Sequence, residues 1–164
     1  MFLGCGLFLR KKIVMMNKTT VPVILNNRVF IIKDEITKSD LVEKLVGAIC
    51  ADLPAVDKDD VLKAVNKREQ GISTTLDTGL SIPHARLEDI NVFHTAAAIL
   101  PQGITDEHGM EIKVMFLFLS PGGQAFFAQH LRLLASLAER FKTPFIEELC
   151  ACQTPQEAAA KLSF

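Results

Sequence analysis

Among the residues of this sequence that could do chemistry, His84 stands out. It follows the apolar run Leu80-Ser81-Ile82 and then Pro83. Proline fixes its own φ and pushes the preceding residue toward extended geometry. The run therefore reads as a short strand that stops at Pro83 and presents His84 at its mouth. Gly71 and Gly79 supply backbone freedom on either side. Ser73, Thr74, Thr75 and Thr78 add hydroxyls close by, and Arg86 lies two residues on. A histidine in such company suits the handling of a negatively charged group.

Two further side chains bear on the same chemistry. His130 falls on an apolar helical stripe near the helix start, where the positive end of the dipole favours an anion. The plain alternative is a core histidine with a backbone partner. Arg68 closes a helix, and its always-charged fork matches phosphate oxygens, although a cation is also favoured there by the dipole alone. Thr74 and Thr75 read as phosphate-side hydroxyls, against the common habit of loop hydroxyls of bonding nearby backbone. Arg86 reads as a further phosphate contact, against docking or solubility. His94 and His108 have no partner at ligand spacing, and Cys150 and Cys152 are not a Cys-x-x-Cys pair, so no metal site is expected. Neither a Walker loop nor a dinucleotide fingerprint occurs, so no cofactor is expected.

The elements that must position these residues are set by periodicity and capping. Val29–Ile32 reads as a first strand. Thr37-Lys-Ser-Asp40 offers a capping-box-like start to a helix carrying Leu41, Leu45, Ala48 and Ile49 and ending near Asp52. Asp57 caps a second helix that ends at Arg68–Gln70, with Gly71 as its stop. The runs 94–100 and 112–119 are continuous, β-branched and aromatic, which predicts buried strands covered on both faces. After Pro121-Gly122-Gly123 a helix over about 125–141 aligns Phe127, His130, Leu134, Leu137 and Phe141 opposite Arg132, Ser136 and Glu139. Short helices over 144–152 and 155–162 complete a three-layer α/β/α domain with a mixed central sheet.

Composition narrows the function classes. The 164 residues suit one domain, long enough to bury about 70% of the surface that the unfolded chain exposes. Eleven Phe with no Trp or Tyr make the core aliphatic and Phe-based. The net charge is −1, from 18 basic and 19 acidic residues without a long like-charge run, which argues against nucleic-acid or polybasic membrane binding. The four cysteines read as reduced thiols of a cytoplasmic protein. Residues 1–20 fit poorly with the rest of the chain. Met1–Leu9 is apolar, but its basic residues come after it, the reverse of a secretory signal, and nine residues are too few to span a bilayer. They read as a non-essential extension to a domain over 21–164, with Met15 or Met16 as the true start.

Arg68-Glu69, Ser73-Thr74-Thr75, the run Gly79-Leu80-Ser81-Ile82-Pro83-His84-Ala85-Arg86, and the helix His130–Ala138 together resemble phosphotransferase-system IIA proteins of the fructose/mannitol type, which include the nitrogen-regulatory IIA proteins. The likeness runs from about Val21 to Leu162. It implies the same architecture and a phosphocarrier activity: His84 takes phosphate at Nε2 from an HPr-like carrier, with His130 and Arg68 in support. The phosphate then passes to a IIB domain, or the phosphorylation state is itself a signal to regulatory targets. The lack of an attached IIB or IIC segment, and Leu119-Ser-Pro-Gly-Gly ahead of the His-Leu helix, point to the nitrogen-regulatory subgroup. The alternatives are a sugar-specific IIA, a binding module of the same fold that has lost transfer, and an enzyme using His84 as general base, which lacks a paired carboxylate.

Overall fold

Alternation along a few strands puts a core on each face of one sheet. The computed structural model describes residues 13–16, 21–25 and 27–163. It opens with two short strands, β1 (Ile13–Met16) and β2 (Val21–Ile24), ahead of β3 (Val29–Ile31). The strand expected at Val29 is therefore present but third in order. Four-residue segments carry too little alternation to announce themselves, and a proline inside β2 argues against a strand. Residues 1–12, most of the expected extension, lie outside the described residues.

The first two helices begin where their caps predict. In α1 (Lys38–Cys50) the Thr37 hydroxyl accepts the Asp40 N–H at 3.1 Å, and Leu41, Val42, Leu45, Val46 and Ile49 are buried. In α2 (Lys58–Glu69) the Asp57 carboxylate accepts the Asp60 N–H at 3.0 Å. Each cap satisfies an N–H that the helix itself cannot. The expected glycine stop after α2 is different: Gly71 is not among the glycines with positive φ. Gln70 ends the helix in right-handed geometry, and the Gly71 N–H bonds the Arg68 carbonyl at 3.3 Å. Gly79 is the glycine that uses its freedom, with φ at +92° in the turn before the next strand.

The remaining elements are β4 (Leu80–Ser81), β5 (His84–Leu87), β6 (Phe93–Thr105), β7 (Glu111–Pro121), a 3-10 turn at Gln124–Phe126, α3 (Phe127–Arg140), α4 (Thr143–Cys150) and α5 (Pro155–Leu162). β6 and β7 form an antiparallel hairpin at the centre of the sheet. β2 and β3 run parallel to β6 on one flank, and β4 and β5 run parallel to β7 on the other. β1 extends the sheet beyond β2, antiparallel to it. Ala96, Ala98, Leu100, Met115, Leu117 and Leu119 meet α1 and α2 on one face. Phe93, Ala97, Ile99, Val114, Phe116 and Phe118 meet α3, α4 and α5 on the other. This is a mixed sheet between two helical layers.

The stripe on α3 follows the expected one at His130, Leu137 and Phe141, with Leu134 half-buried against the same core and Leu133 added to it. His130, Leu133, Leu137 and Phe141 are buried, whereas Phe127 is 41% exposed. The helix proper starts only at Phe127, after the 3-10 turn, so its first residue precedes the packed face.

Candidate functional site

β4 and β5 are two pieces laid along the same strand: Ser81 pairs with Met115, and His84 with Phe118. Between them stand Ile82 and Pro83. Proline cannot donate to a ladder, so pairing lapses there and resumes at His84. His84 thus opens a strand instead of standing in a loop at a strand mouth, and only 3% of its surface is exposed. Successive strand residues face opposite ways. Ala85 joins the core beneath α1 and α2, which turns His84 and Arg86 to the α3 side.

The His84 ring lies flat on Phe118, with centroids 5.1 Å apart and planes within 5°. Its Nδ1 is 2.8 Å from the Ile82 carbonyl oxygen. A carbonyl only accepts, so Nδ1 carries the proton and Nε2 keeps its lone pair. Burial lowers the pKa of His84, and the Arg68 charge lowers it too, against the opposing pull of the Ile82 bond and Glu69. The ring is therefore neutral at pH 7, in the form a nucleophile requires.

His130 arrives from the first turn of α3. Its ring meets His84 edge-on at 5.2 Å and Phe118 at 5.3 Å. Its Nδ1 lies 2.7 Å from Oγ of Ser120, in β7. Burial above all, then His84, Arg86 and Arg68, bring its pKa down to about 4, so it too is neutral at pH 7.

The other expected residues divide. Arg68 is exposed, donates to the Ile72 carbonyl at 3.1 Å, and acts electrostatically on both imidazoles. Arg86 donates to the carbonyls of Gly122 and Gly123, at 2.5 and 3.1 Å, and its guanidinium lies 5.1 Å over the Phe127 ring. It thereby fastens the turn that leads into α3. The Thr74 hydroxyl donates to Glu69 at 2.5 Å, and the second oxygen of Glu69 is 3.2 Å from the Lys38 ammonium. Thr75 donates to the Ser81 hydroxyl at 3.4 Å. Both threonine hydroxyls are thus bonded to their own surroundings. His94 is buried in β6, and His108 is exposed beside Glu107.

Two members of the cluster were not foreseen. Phe118 floors both rings, and Ser120 bonds one of them. Their place depends on the register of β5 against β7, which the sequence does not display. One signal was available: Ser120 is a hydroxyl two positions beyond Phe118 at the end of an apolar strand, and buried hydroxyls need partners. Ile72, Phe127 and Leu131 are 80%, 41% and 49% exposed, each close in sequence to Arg68 or His130. Two neutral imidazoles in contact, two guanidinium groups and this apolar rim can receive a small anionic group and then meet a protein surface.

The model of the family described as phosphoenolpyruvate-dependent sugar phosphotransferase system, EIIA 2, matches residues 23–163. The chain belongs to this family. Among relatives of this IIA protein, a mannitol-specific phosphotransferase enzyme IIA component of Staphylococcus aureus is 32% identical over 119 residues, covering 71% of this chain and 77% of that one. The nitrogen regulatory protein IIA-Ntr from Neisseria meningitidis superposes with a TM-score of 0.71 at 23% identity, over 83% of this chain and 93% of that one. The IIA-mannitol of Escherichia coli, solved in complex with its phosphorylated IIB, gives a TM-score of 0.68 at 15% identity, over 85% and 97%. At these identities the two structures speak to the fold. Among the described residues of this IIA protein, no cluster of His, Cys, Asp or Glu could hold a metal ion, and no helix is long and apolar enough to cross a membrane.

Proposed function

We propose that this chain is a cytoplasmic IIA phosphocarrier whose Nε2 of His84 accepts a phosphoryl group from a histidine carrier of the HPr kind. The observation that carries this reading is the fixed tautomer of a buried, neutral imidazole: Nδ1 is committed to the Ile82 carbonyl, leaving Nε2 as the nucleophile. The Nε2 lone pair attacks phosphorus, the N–P bond of the donor breaks, and its electron pair returns to the donor's ring. His84 keeps its Nδ1 proton throughout, so the phosphorylated ring is cationic beside an anionic phosphoryl group, the form that leaves readily in the next transfer. Positioning and charge stabilisation are what such a transfer asks of the surroundings. His130 and Arg68 supply them, while Thr74, Thr75 and Arg86 hold the site's walls and its turn.

For the branch, we favour the nitrogen-regulatory one, in which the phosphorylation state is read by regulatory partners. Leu119-Ser-Pro-Gly-Gly ahead of the His-Leu helix supports it. The second reading, a sugar-uptake component passing phosphate to a IIB domain, is favoured by the mannitol-specific relative. Incubation with enzyme I, HPr and labelled phosphoenolpyruvate tests the core of the proposal. Acid-labile label on His84 is expected, and label on His84→Gln would overturn it. Rapid onward transfer to a IIB domain would decide for sugar uptake, whereas stable label and state-dependent capture of a regulatory protein would decide for the regulatory branch.

A further inference from the structure

We propose that Ser120 is a positioning residue that sets the tautomer of His130, so that this second imidazole carries its proton on Nε2 and donates it as a hydrogen bond to the phosphoryl group on His84. The inference rests on the phosphocarrier reading for the identity of the acceptor, but its first step stands on geometry alone. Ser120 is fully buried at the end of β7, and its Oγ is 2.7 Å from Nδ1 of His130. A hydrogen bond here can run either way. If Nδ1–H donated to Oγ, the serine O–H would need another acceptor, and among the described residues it has none. An unmet buried hydroxyl proton costs about 1–3 kcal/mol. With the O–H donating to Nδ1, the serine is satisfied and the proton of a neutral His130 must sit on Nε2.

The two rings of the pair are then opposite tautomers. His84 spends Nδ1–H on the Ile82 carbonyl and offers a bare Nε2. His130 spends the lone pair of Nδ1 on Ser120 and offers Nε2–H. One is made a nucleophile and the other a donor, although both are neutral imidazoles packed on the same phenyl ring. The arrangement is cross-strand in origin. Ser120 pairs with Arg86 in the ladder, one side-chain repeat along from the His84–Phe118 pair, so the same face of the sheet delivers the nucleophile, its floor and the hydroxyl that orients the second ring. A neutral donor also suits a relay better than a fixed cation, because it stabilises the phosphoryl group without trapping it.

Ring-nitrogen NMR on the unphosphorylated full chain at pH 7 reads the tautomers directly, with each histidine assigned by single substitution to Gln. His84 is expected as the Nδ1–H form and His130 as the Nε2–H form, and Ser120→Ala is expected to shift His130 to a mixture. A wild-type His130 in the Nδ1–H form, or a pattern unchanged in Ser120→Ala, overturns the inference. In the transfer assay, Ser120→Ala should slow phosphate uptake by about 2- to 10-fold, the size of one hydrogen bond. His130→Gln, whose amide nitrogen can stand near the Nε2 position, should retain more transfer than His130→Asn, whose amide stands near Nδ1; the reverse order overturns the donor role. If wild type takes no label at all, the phosphocarrier reading fails and the donor role with it, whereas the NMR result still judges the serine's hold on the tautomer.

Discussion

The two imidazoles reach the same place by different routes. His84 is set by its own segment: the carbonyl that holds its Nδ1 is two residues back, across the proline that interrupts β4 and β5. His130 is set from a distance, by a strand hydroxyl met only when α3 packs on the sheet. The first ring's chemistry is therefore written locally and the second ring's is written in tertiary structure. On the proposed reading, a short motif specifies the nucleophile, whereas the groups that assist it depend on register and packing.

Removing the locally set ring should have the largest effect. His84→Ala and His84→Gln should take up no detectable phosphate in the coupled assay. The alanine variant should also melt lower, since it loses a buried aromatic contact worth about 0.5–1.5 kcal/mol beyond area burial. Label on either variant would move the nucleophile to His130 and invert the comparison. Next, His130→Ala and Arg68→Ala should slow transfer without stopping it. Loss of one preorganised electrostatic contact costs about 10²–10³ in rate in a shielded site, and a site open to a protein partner should lie at or below that. A loss of less than a factor of two at saturating donor would make the residue in question structural only.

The distance-set ring should also leave a signature in acid. His130 is held down to about pKa 4, chiefly by burial, so between its unfolded value near 6.5 and 4 the unfolded chain binds the extra proton and the folded chain does not. Its contribution to stability is intact above about pH 6.5 and is lost as the pH falls toward 4. The melting temperature of wild type should drop across that window more steeply than that of His130→Gln, and parallel curves would contradict it. Burial lowers the pKa of His84 in the same direction, so phosphate uptake should fall off at a lower pH than a free imidazole would set, read from a pH–rate profile. The smallest effect is expected from the N-terminus. β1 pairs with β2, at the flank of the sheet away from β7. Deleting residues 1–15 should therefore change transfer by less than a factor of two, measured beside the melting temperature; a large loss in either would tie that segment to the rings.

How much could be read from the sequence obeys the same division. Thr37 and Asp57 announced their helices because a cap is satisfied within three residues. The long apolar runs announced β6 and β7 because burial on both faces leaves no alternation to mistake. His84, His130 and Arg68 were visible as residue types in an ordered pattern. What stayed hidden was non-local: the resumption of pairing at His84, the register that slides Phe118 beneath it, and the serine that faces His130. The α3 stripe held at His130, Leu137 and Phe141 but not at Phe127, which stands at the start of the helix just behind the 3-10 turn. Thr74 and Thr75 looked free in sequence, and only the fold reveals Glu69 and Ser81 taking up their hydroxyls.

β7 touches every part of the histidine pair: it floors both rings through Phe118, bonds one through Ser120 and carries the strand that bears the other. Its antiparallel pairing with β6 closes across a short turn, whereas its parallel pairing with β5 joins segments that the whole of β6 separates in sequence. Contacts between distant segments wait for loop closure and form slowly. A chain that has made only the central hairpin has Phe118 and Ser120 in place with no imidazole against either. On the proposed reading, competence to carry phosphate therefore needs both the closure of β5 on β7 and the docking of α3, and the central hairpin alone offers a donor nothing to phosphorylate.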